Sequence, residues 1–505
     1  MSESLQRALR SFVAGGYQLQ KDAFEFLSLI AEEDELEALV SITLRQLMST
    51  PTASPIVTKE VLETTALKIR SVSPQSSISL MSNLMATSNP FAREISSDIE
   101  IVNDPSKKIG SAGGIEDFTR YFRSRFRKIQ DILRERLDTK GAVSIDSALR
   151  SKQASVSFIC MVAEKREQKK HVLLTVEDEE SQVTVLIPME RDECYRAAQA
   201  VPLDQVIYIE AKKGKGDLLL CERLVLPDIP ERKGSKSNEP VCAALLSDVH
   251  VGSKKFMKDS FEQVMLWLNC RLGDPRQRDL ASRVKYVIVA GDLVDGVGIY
   301  PNQEEELAIA DVYSQYRLAA QYIEQIPDYI EVILIPGNHE PVRQSLPQPA
   351  VASKFAEPVY NARAIRSLGN PSEVTLHGVR FLLYHGRSLD DVITAVPGMT
   401  FSTPHLAMEH ILRCRHLAPE YGNRTSIAPE SNDYLVIENV PDVFHAGHVH
   451  INGAEKYRGT TIVNSGSWQE QTDYQRRMGV RPTPGILPVV DLQSMEITPI
   501  KFTPE

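Results

Sequence analysis

Three hydrophobic rhythms alternate along this chain. In residues 26–48, FLSLIAEEDELEALVSITLRQLM, apolar side chains recur every three or four positions, and a second helical run, KEVLETTALKI, follows Thr58, which has the chemistry of an N-cap. Residues 1–70 therefore read as a small helical module for packing or partner binding, since no polar chemistry clusters in them. From 71 to 114 the chain turns to Ser, Asn, Pro and Gly, as in SVSPQSSISLMSNLMATSNP and SKKIGSAGG, the composition of a flexible linker. The helical period then returns in FTRYFRSRFRKIQDILRERL, where Arg120, Arg123, Arg125, Arg127 and Lys128 interleave with Tyr121, Phe122 and Phe126. Such a helix can grip a nucleic-acid backbone or present a solvated basic face.

Between about 143 and 230 the period falls to two. VSFICMVAEKR, HVLLTVEDEE, SQVTVLIP, VIYIEAKKG and DLLLCERLVLP predict five short strands, with a helical break at RDECYRAAQAV, a pattern that suits an OB-type β-barrel. Few aromatic residues lie in these strands, so base stacking is only weakly signalled and a scaffold role is favoured over it. With the basic helix, the unit spans 115–230. From 238 to 505 apolar runs ending in polar loops alternate with helical stretches: AALLSD, SFEQVMLWLNCRL, YVIVAGD, EELAIADVYSQYRLAAQYIEQI and EVILIPGNHE, then VTLHGVRFLLYHG, VFHAGHVH and TTIVNSGSW. The fold class expected is α/β, in several domains, with polar residues recurring just past strand ends, where α/β sheets place their ligands.

Length and charge narrow this picture. At 505 residues the chain exceeds what one core supports. No apolar run is long enough to span a bilayer, and MSESLQRALRSF lacks the features of a secretory signal, so a cytoplasmic location without membrane contact is expected. A net charge of −10 supplies no global attraction to nucleic acid, so DNA contact would need local basic patches or metal ions. Six scattered cysteines form no CxxC pair and read as reduced core thiols. Ten of the eleven histidines lie at or after His250.

Five of those histidines, with Asp248, Asp292 and Asn338, fall in five motifs, each at a predicted strand end: Asp248 with His250, Asp292 after Gly291, Asn338 and His339 after Gly337, His385 before Gly386, and His448 with His450 after Gly447. Carboxylate, imidazole and amide oxygen together are the ligand types that hold Mn²⁺, Fe²⁺ or Zn²⁺, and a carboxylate can bridge two such ions. Any one motif arises readily by chance, and a lone His is more often structural. Five of compatible chemistry in one domain make a dinuclear centre the better reading.

The order DxH, GD, GNH, H, GHxH resembles that of the calcineurin-like metallophosphoesterases, over 241–467 and including NSGS at 464–467. The resemblance implies a β-sandwich phosphoesterase flanked by helices, with two divalent cations. One would be held by Asp248, His250, Asp292 and His450, the other by Asp292, Asn338, His385 and His448, with Asp292 bridging. Mn²⁺ is the leading ion, with Mg²⁺, Fe²⁺ or Zn²⁺ as alternatives. His339 would be catalytic, orienting phosphate and assisting the departing 3′-oxygen. The strings LLSDVHVGS, AGDLVDGVG, PGNHEP and YHGRSLDD, and the order of modules, are similar to the small, exonuclease subunits of archaeal family D DNA polymerases. That implies a 3′–5′ proofreading activity on DNA primer ends and a large catalytic subunit as partner. Asp295 stands where a related repair nuclease has His, and Glu340 where many phosphoesterases have Asp. His445 is expected to support the site, and His377, His405, His410 and His416 to be structural or exposed. The competing readings are a non-catalytic polymerase scaffold and a small-molecule phosphatase.

Overall fold

The computed structural model describes residues 3–14, 17–28, short stretches between 36 and 65, and 90–502 apart from 215 and 217. They belong to two compact units, Met1–Asn89 and Pro90–Glu505. In the first, helices Glu3–Ala14 and Lys21–Ser28 flank β1 (Gln18–Leu19), which pairs in parallel with β2 (Ile56–Val57). Leu5, Phe12, Phe26, Leu27 and Val57 belong to its core. Much of the helical patterns read at 26–48 and after Thr58 lies outside the described residues. The part of the expected linker at 71–89 lies outside the described residues.

The rest of that expected linker is structured. Residues Phe91–Glu94 are helical and β3 (Ile99–Asn103) pairs antiparallel with a strand of the C-terminal body. The barrel follows: β4 (Ser155–Gln168), β5 (His171–Glu177), β6 (Gln182–Pro188), β7 (Val206–Lys213) and β8 (Leu219–Val225) close in the order β4-β5-β6-β8-β7. Alternate side chains, among them Val172, Leu174, Val176, Val185 and Ile187, fill its interior, and helix Asp192–Ala200 joins β6 to β7. The predicted strands and the helical break are all present.

Two six-stranded sheets make the C-terminal body. The first contains β9 (Cys242–Leu246), β10 (Val284–Ala290), β11 (Glu331–Ile335), β12 (Arg366–Ser367), β18 (Ile486–Asp491) and β19 (Ile497–Lys501), in the order β12-β11-β10-β9-β18-β19. The second contains β13 (Ser372–Leu376), β14 (Val379–Leu383), β15 (Val443–Ala446), β16 (Asn452–Tyr457) and β17 (Thr460–Ser465), in the order β16-β17-β15-β14-β13-β3. Period-two alternation decides which residues meet. Ala243, Leu245, Ile288 and Ile333 face Val374, Phe381, Leu383 and Val463 between the sheets. Their sequence neighbours Ala244, Leu246, Val287, Val289 and Leu334 pack outward under helices Lys258–Leu268 and Val312–Glu324. Helices Leu389–Ala395 and Pro404–Cys414 cover the outer face of the second sheet. Because both faces are covered, β9 and, from Tyr286 onward, β10 read as continuous apolar runs.

Of the helical pattern at 305–326, Glu305 and Glu306 end a 3-10 turn, and the α-helix begins only at Val312, where the Asp311 side chain accepts a hydrogen bond from Ser314 N at 2.8 Å and caps it.

The basic helix, Ile115–Glu135, is the seam between barrel and body. Phe126, Ile129 and Leu133 pack on Ile159, Val206 and Tyr208 of the barrel and on Val436 of the body. Arg125 is fully buried: its Nε donates to Asp433 at 3.0 Å, and its terminal nitrogens donate to the Pro419 carbonyl and the Tyr121 hydroxyl, both at 2.6 Å. His416 lies 2.8 Å from the same Asp433 carboxylate. Lys128 pairs with Glu438, Arg127 with Glu179 and Arg120 with Asp117. The charge that suggested a DNA grip is thus largely engaged in internal ion pairs.

Burial opposes ionisation of Asp433, but His416 and Arg125 overcome it and hold the carboxyl well below its ordinary range. Asp433→Asn would leave Arg125 buried without a counter-charge, so urea unfolding should show a loss of about 3–5 kcal/mol. His410 and His416 are pushed down to about 4, chiefly by burial. Each binds its proton more weakly folded than unfolded, so the stability they contribute is present above their ordinary pKa and is lost as pH falls toward 4. Melting temperature should decline across that window, and a flat profile would contradict the burial of these two rings.

Candidate metal centre

The carboxyl ends of five strands converge at the rim between the sheets. Asp248 and His250 follow β9, Asp292 follows β10, Asn338 and His339 follow β11, His385 follows β14, and His448 and His450 follow β15. β9, β10 and β11 are parallel to one another, as are β14 and β15, so the ends within each set point one way. Tight turns then bring the side chains inward. Asp248, His250, Asp292, His448 and His450 all adopt positive φ, between 51° and 72°, a left-handed conformation that Asp and His visit more readily than branched residues. Glycines leave room beside them: a Cβ on Gly337 would lie 2.1 Å from Asp292 Oδ1, and one on Gly447 would lie 2.3 Å from Asp248 Oδ2.

Asp248, His250 and His450 offer ligand atoms close enough to share one ion. So do Asp248, Asp292 and His385, and also His250, Asp292 and His339. His250 Nε2 and His450 Nε2 face each other at 3.1 Å, and His450 Nε2 lies 3.4 Å from Asp248 Oδ1. His385 Nε2 lies 3.3 Å from Asp292 Oδ2 and 3.0 Å from Asn338 Oδ1. Six of the eight predicted residues therefore fall into these groupings, and Asn338 borders them. His448 differs: its ring centroid is 5.2 Å from that of His385, but its Nε2 lies 3.3 Å from Asp390 Oδ2.

The polar surroundings orient these groups. His250 Nδ1 is 2.8 Å from Asp295 Oδ1, and His385 Nδ1 is 2.9 Å from the Ala290 carbonyl, which leaves each Nε2 toward the centre. His339 Nδ1 meets the Asp295 carbonyl at 2.7 Å. Glu340 is buried and its carboxylate accepts from the backbone N–H groups of Asp292, Leu293 and Gly337, locking the β10 turn to the β11 turn. His445 lies 3.0 Å from Ser465 Oγ, a hydrogen-bonded position beneath the site. Among the other histidines without a motif, His410 and His416 are buried and His377 sits in a turn.

Electrostatics points to missing positive charge. Burial alone would raise the carboxyls of Asp248 and Asp292, yet neighbouring histidines hold both below their ordinary range, Asp292 far below. Burial likewise opposes protonation of His385, but Asp292 wins and lifts it to about 10. Asp248 Oδ1 is buried and, among the described residues, has no hydrogen-bond partner, an arrangement that is costly unless something cationic meets it. The donor set, hard carboxylate oxygen with imidazole nitrogen, fits divalent Mn, Fe or Zn better than calcium.

Residues 243–451 match the family that comprises the B subunits of DNA polymerases alpha and epsilon. The chain is 40% identical to the DNA polymerase II small subunit of Methanothermobacter thermautotrophicus, over 79% of this chain and 82% of that protein. It is 38% identical to the DNA polymerase II small subunit of Archaeoglobus fulgidus, over 77% of each chain. With that of Methanocaldococcus jannaschii it shares 38% identity, over 80% of this chain and 68% of the relative. The chain belongs to the family of archaeal family D DNA polymerase small subunits.

Membership in a family of DNA polymerase small subunits makes it an accessory subunit and implies a catalytic partner subunit. No helix among the described residues is long and apolar enough to cross a membrane. Several residues at the centre carry no motif of their own. Asp390 meets His448, Gln475 Nε2 lies 2.8 Å from His450 Nδ1, and Gln469 Nε2 donates to Asp295 Oδ1 at 3.2 Å. Only Asp390 left a signal, as one of two carboxylates directly after the His385 motif.

Glu340→Gln tests the support around Asp292. An amide nitrogen would oppose one of the backbone donors, so Mn²⁺ affinity measured by calorimetry should fall about 10- to 100-fold. Undiminished affinity would show that this carboxylate does not set the geometry of Asp292.

Proposed function

We propose that this subunit is a metal-dependent 3′–5′ DNA exonuclease that proofreads for its catalytic partner. The observation that carries the reading is the pair of buried carboxylates, Asp248 and Asp292, ringed by imidazoles at one rim, with Asp292, His250, His448 and His450 lining a cavity of about 360 Å³. Two covered sheets with the site at their shared rim support a calcineurin-like phosphoesterase body, and the strand order of the barrel, with a helix between its third and fourth strands, supports an OB-type module. Membership in a polymerase small-subunit family supports DNA as substrate. On this reading residues 1–70 serve partner binding.

Asp248, His250, Asp292 and His450 would hold one divalent cation, and Asp292, Asn338 and His385, with His448 if it leaves Asp390, the other. Mn²⁺ is favoured, and bound cations supply the Lewis acidity that phosphodiester hydrolysis requires. Water adds to phosphorus, the bond to the 3′-oxygen of the preceding nucleotide breaks, and a 5′-mononucleotide leaves. His339 is suited to protonate that departing oxygen. Its Nδ1–H donates to the Asp295 carbonyl and its Nε2 lies 3.9 Å from Asp292 Oδ2. Burial opposes its protonation, but Asp292 and Asp295 raise its pKa above the ordinary imidazole value and keep a proton available.

With Mn²⁺ and a mismatched primer end, the full chain should release 5′-mononucleotides. Asp292→Ala should abolish release and His339→Ala should lower kcat about 10²- to 10⁴-fold. The rate assigned to the general acid should fall as pH rises through the raised His339 pKa, because only the protonated ring can donate. Release that survives both substitutions would reject the assignment.

A further inference from the structure

The mouth of the cavity has two unlike sides. On the side of His450, helix Asp473–Arg477 and the residue after it bring Tyr474 and Met478 to the opening, 64% and 49% exposed. They are four apart in sequence and therefore neighbours on one helical face. An exposed aromatic beside an exposed thioether is costly to leave in water and is an apolar shelf at the edge of a polar site. On the side of His448, Arg387 and Arg424 line the same cavity. Arg387 donates to the carbonyl and the side-chain oxygen of Gln344, whose amide donates to the Asn338 carbonyl. Asp391 accepts from the backbone N–H groups of Arg424 and Thr425, at 3.2 and 3.0 Å, and pins the loop that carries the second guanidinium.

The shelf is fixed relative to the metal ligands. Gln475 closes a capping box with Thr472: Thr472 Oγ1 accepts from Gln475 N, and Gln475 Oε1 accepts from Thr472 N. The Nε2 of that same amide lies 2.8 Å from His450 Nδ1. One side chain thus sets both the start of the helix and the ring of a candidate ligand, so the distance from shelf to centre is built in.

We infer that Tyr474 and Met478 form a stacking platform for the base of the 3′-terminal nucleotide, while Arg387 and Arg424 hold phosphates of the strand. The inference rests on the nuclease reading above and adds to it how an unpaired end is seated. A base offers a flat π-face of any sequence, and an aromatic shelf accepts it without reading identity, as proofreading requires. Guanidinium groups complement phosphate and carry no base information. A terminal base that is still paired is stacked in its duplex and cannot reach the shelf, so fraying of a mismatched end would feed the site.

The full chain with Mn²⁺ tests this on two single-stranded oligonucleotides, one ending in an ordinary nucleotide and one whose last sugar lacks a base. Bis(p-nitrophenyl) phosphate serves as a control for the metal centre. The wild type should show the lower KM for the base-bearing end. Tyr474→Ala should raise that KM about tenfold and leave the abasic end unaffected, so that the preference collapses toward one, whereas Tyr474→Phe should keep it. Met478→Ala should shift the preference the same way by less, and Arg424→Ala should raise KM equally for both ends. A preference unchanged in Tyr474→Ala overturns the inference, including the case in which that variant instead loses its catalytic partner on copurification and the shelf proves to be a subunit contact. If the wild type hydrolyses the small ester but neither oligonucleotide, the nuclease reading fails first and takes this inference with it.

Discussion

Two carboxylates buried within one ring of imidazoles set the terms for the rest of the C-terminal body. Removing Asp248 and Asp292 from water is tolerable only if positive charge stands beside them, and Asp292 draws it in by lifting the pKa of His385 to about 10. The two sheets, the glycine-bearing turns and the clamp of Glu340 on three backbone amides all hold this cluster together against its own repulsion. The same cluster competes between protons and metal ions, which makes metal uptake a proton-releasing event.

Backbone conformation carries part of this load. Five of the candidate site residues lie in the left-handed region, each at the first or second turn after a strand. Such positions persist where surrounding structure over-determines them. Here that structure is the parallel strand register, which ends β9, β10 and β11 side by side and β14 beside β15. Aspartate and histidine serve as ligands and tolerate this conformation, so the chemistry and the fold ask for the same residue types.

This coincidence explains what could be read in advance. The motifs at Asp248, Asp292, Asn338, His385 and His448 were legible because each joins an apolar run to a short polar signature, and the barrel was legible because its strands alternate strictly. Groups that act across long sequence separations left little trace. Gln475 and Gln469 are ordinary polar residues until the chain brings them to His450 and Asp295. Arg125 looked like one member of a basic face, but its register on the helix points it inward at Asp433, where its charge is consumed. The start of the helix at Val312 depended on one capping side chain within a longer apolar pattern. The segment around Ile99 read as linker because a single edge strand, with three of its five residues exposed, has no periodic signature of its own.

That edge strand has an implication for how the chain is made. Leaving synthesis in N-to-C order, β3 and the whole barrel precede every other strand of the second sheet, and β13 appears only after the first sheet has its four parallel strands, β9 to β12. Until then β3 has no neighbouring strand of its sheet to pair with. Closure of the sandwich is therefore a late, long-range event, and the barrel reaches its final seat only when the last-made half of the chain returns to claim a strand laid down near the beginning.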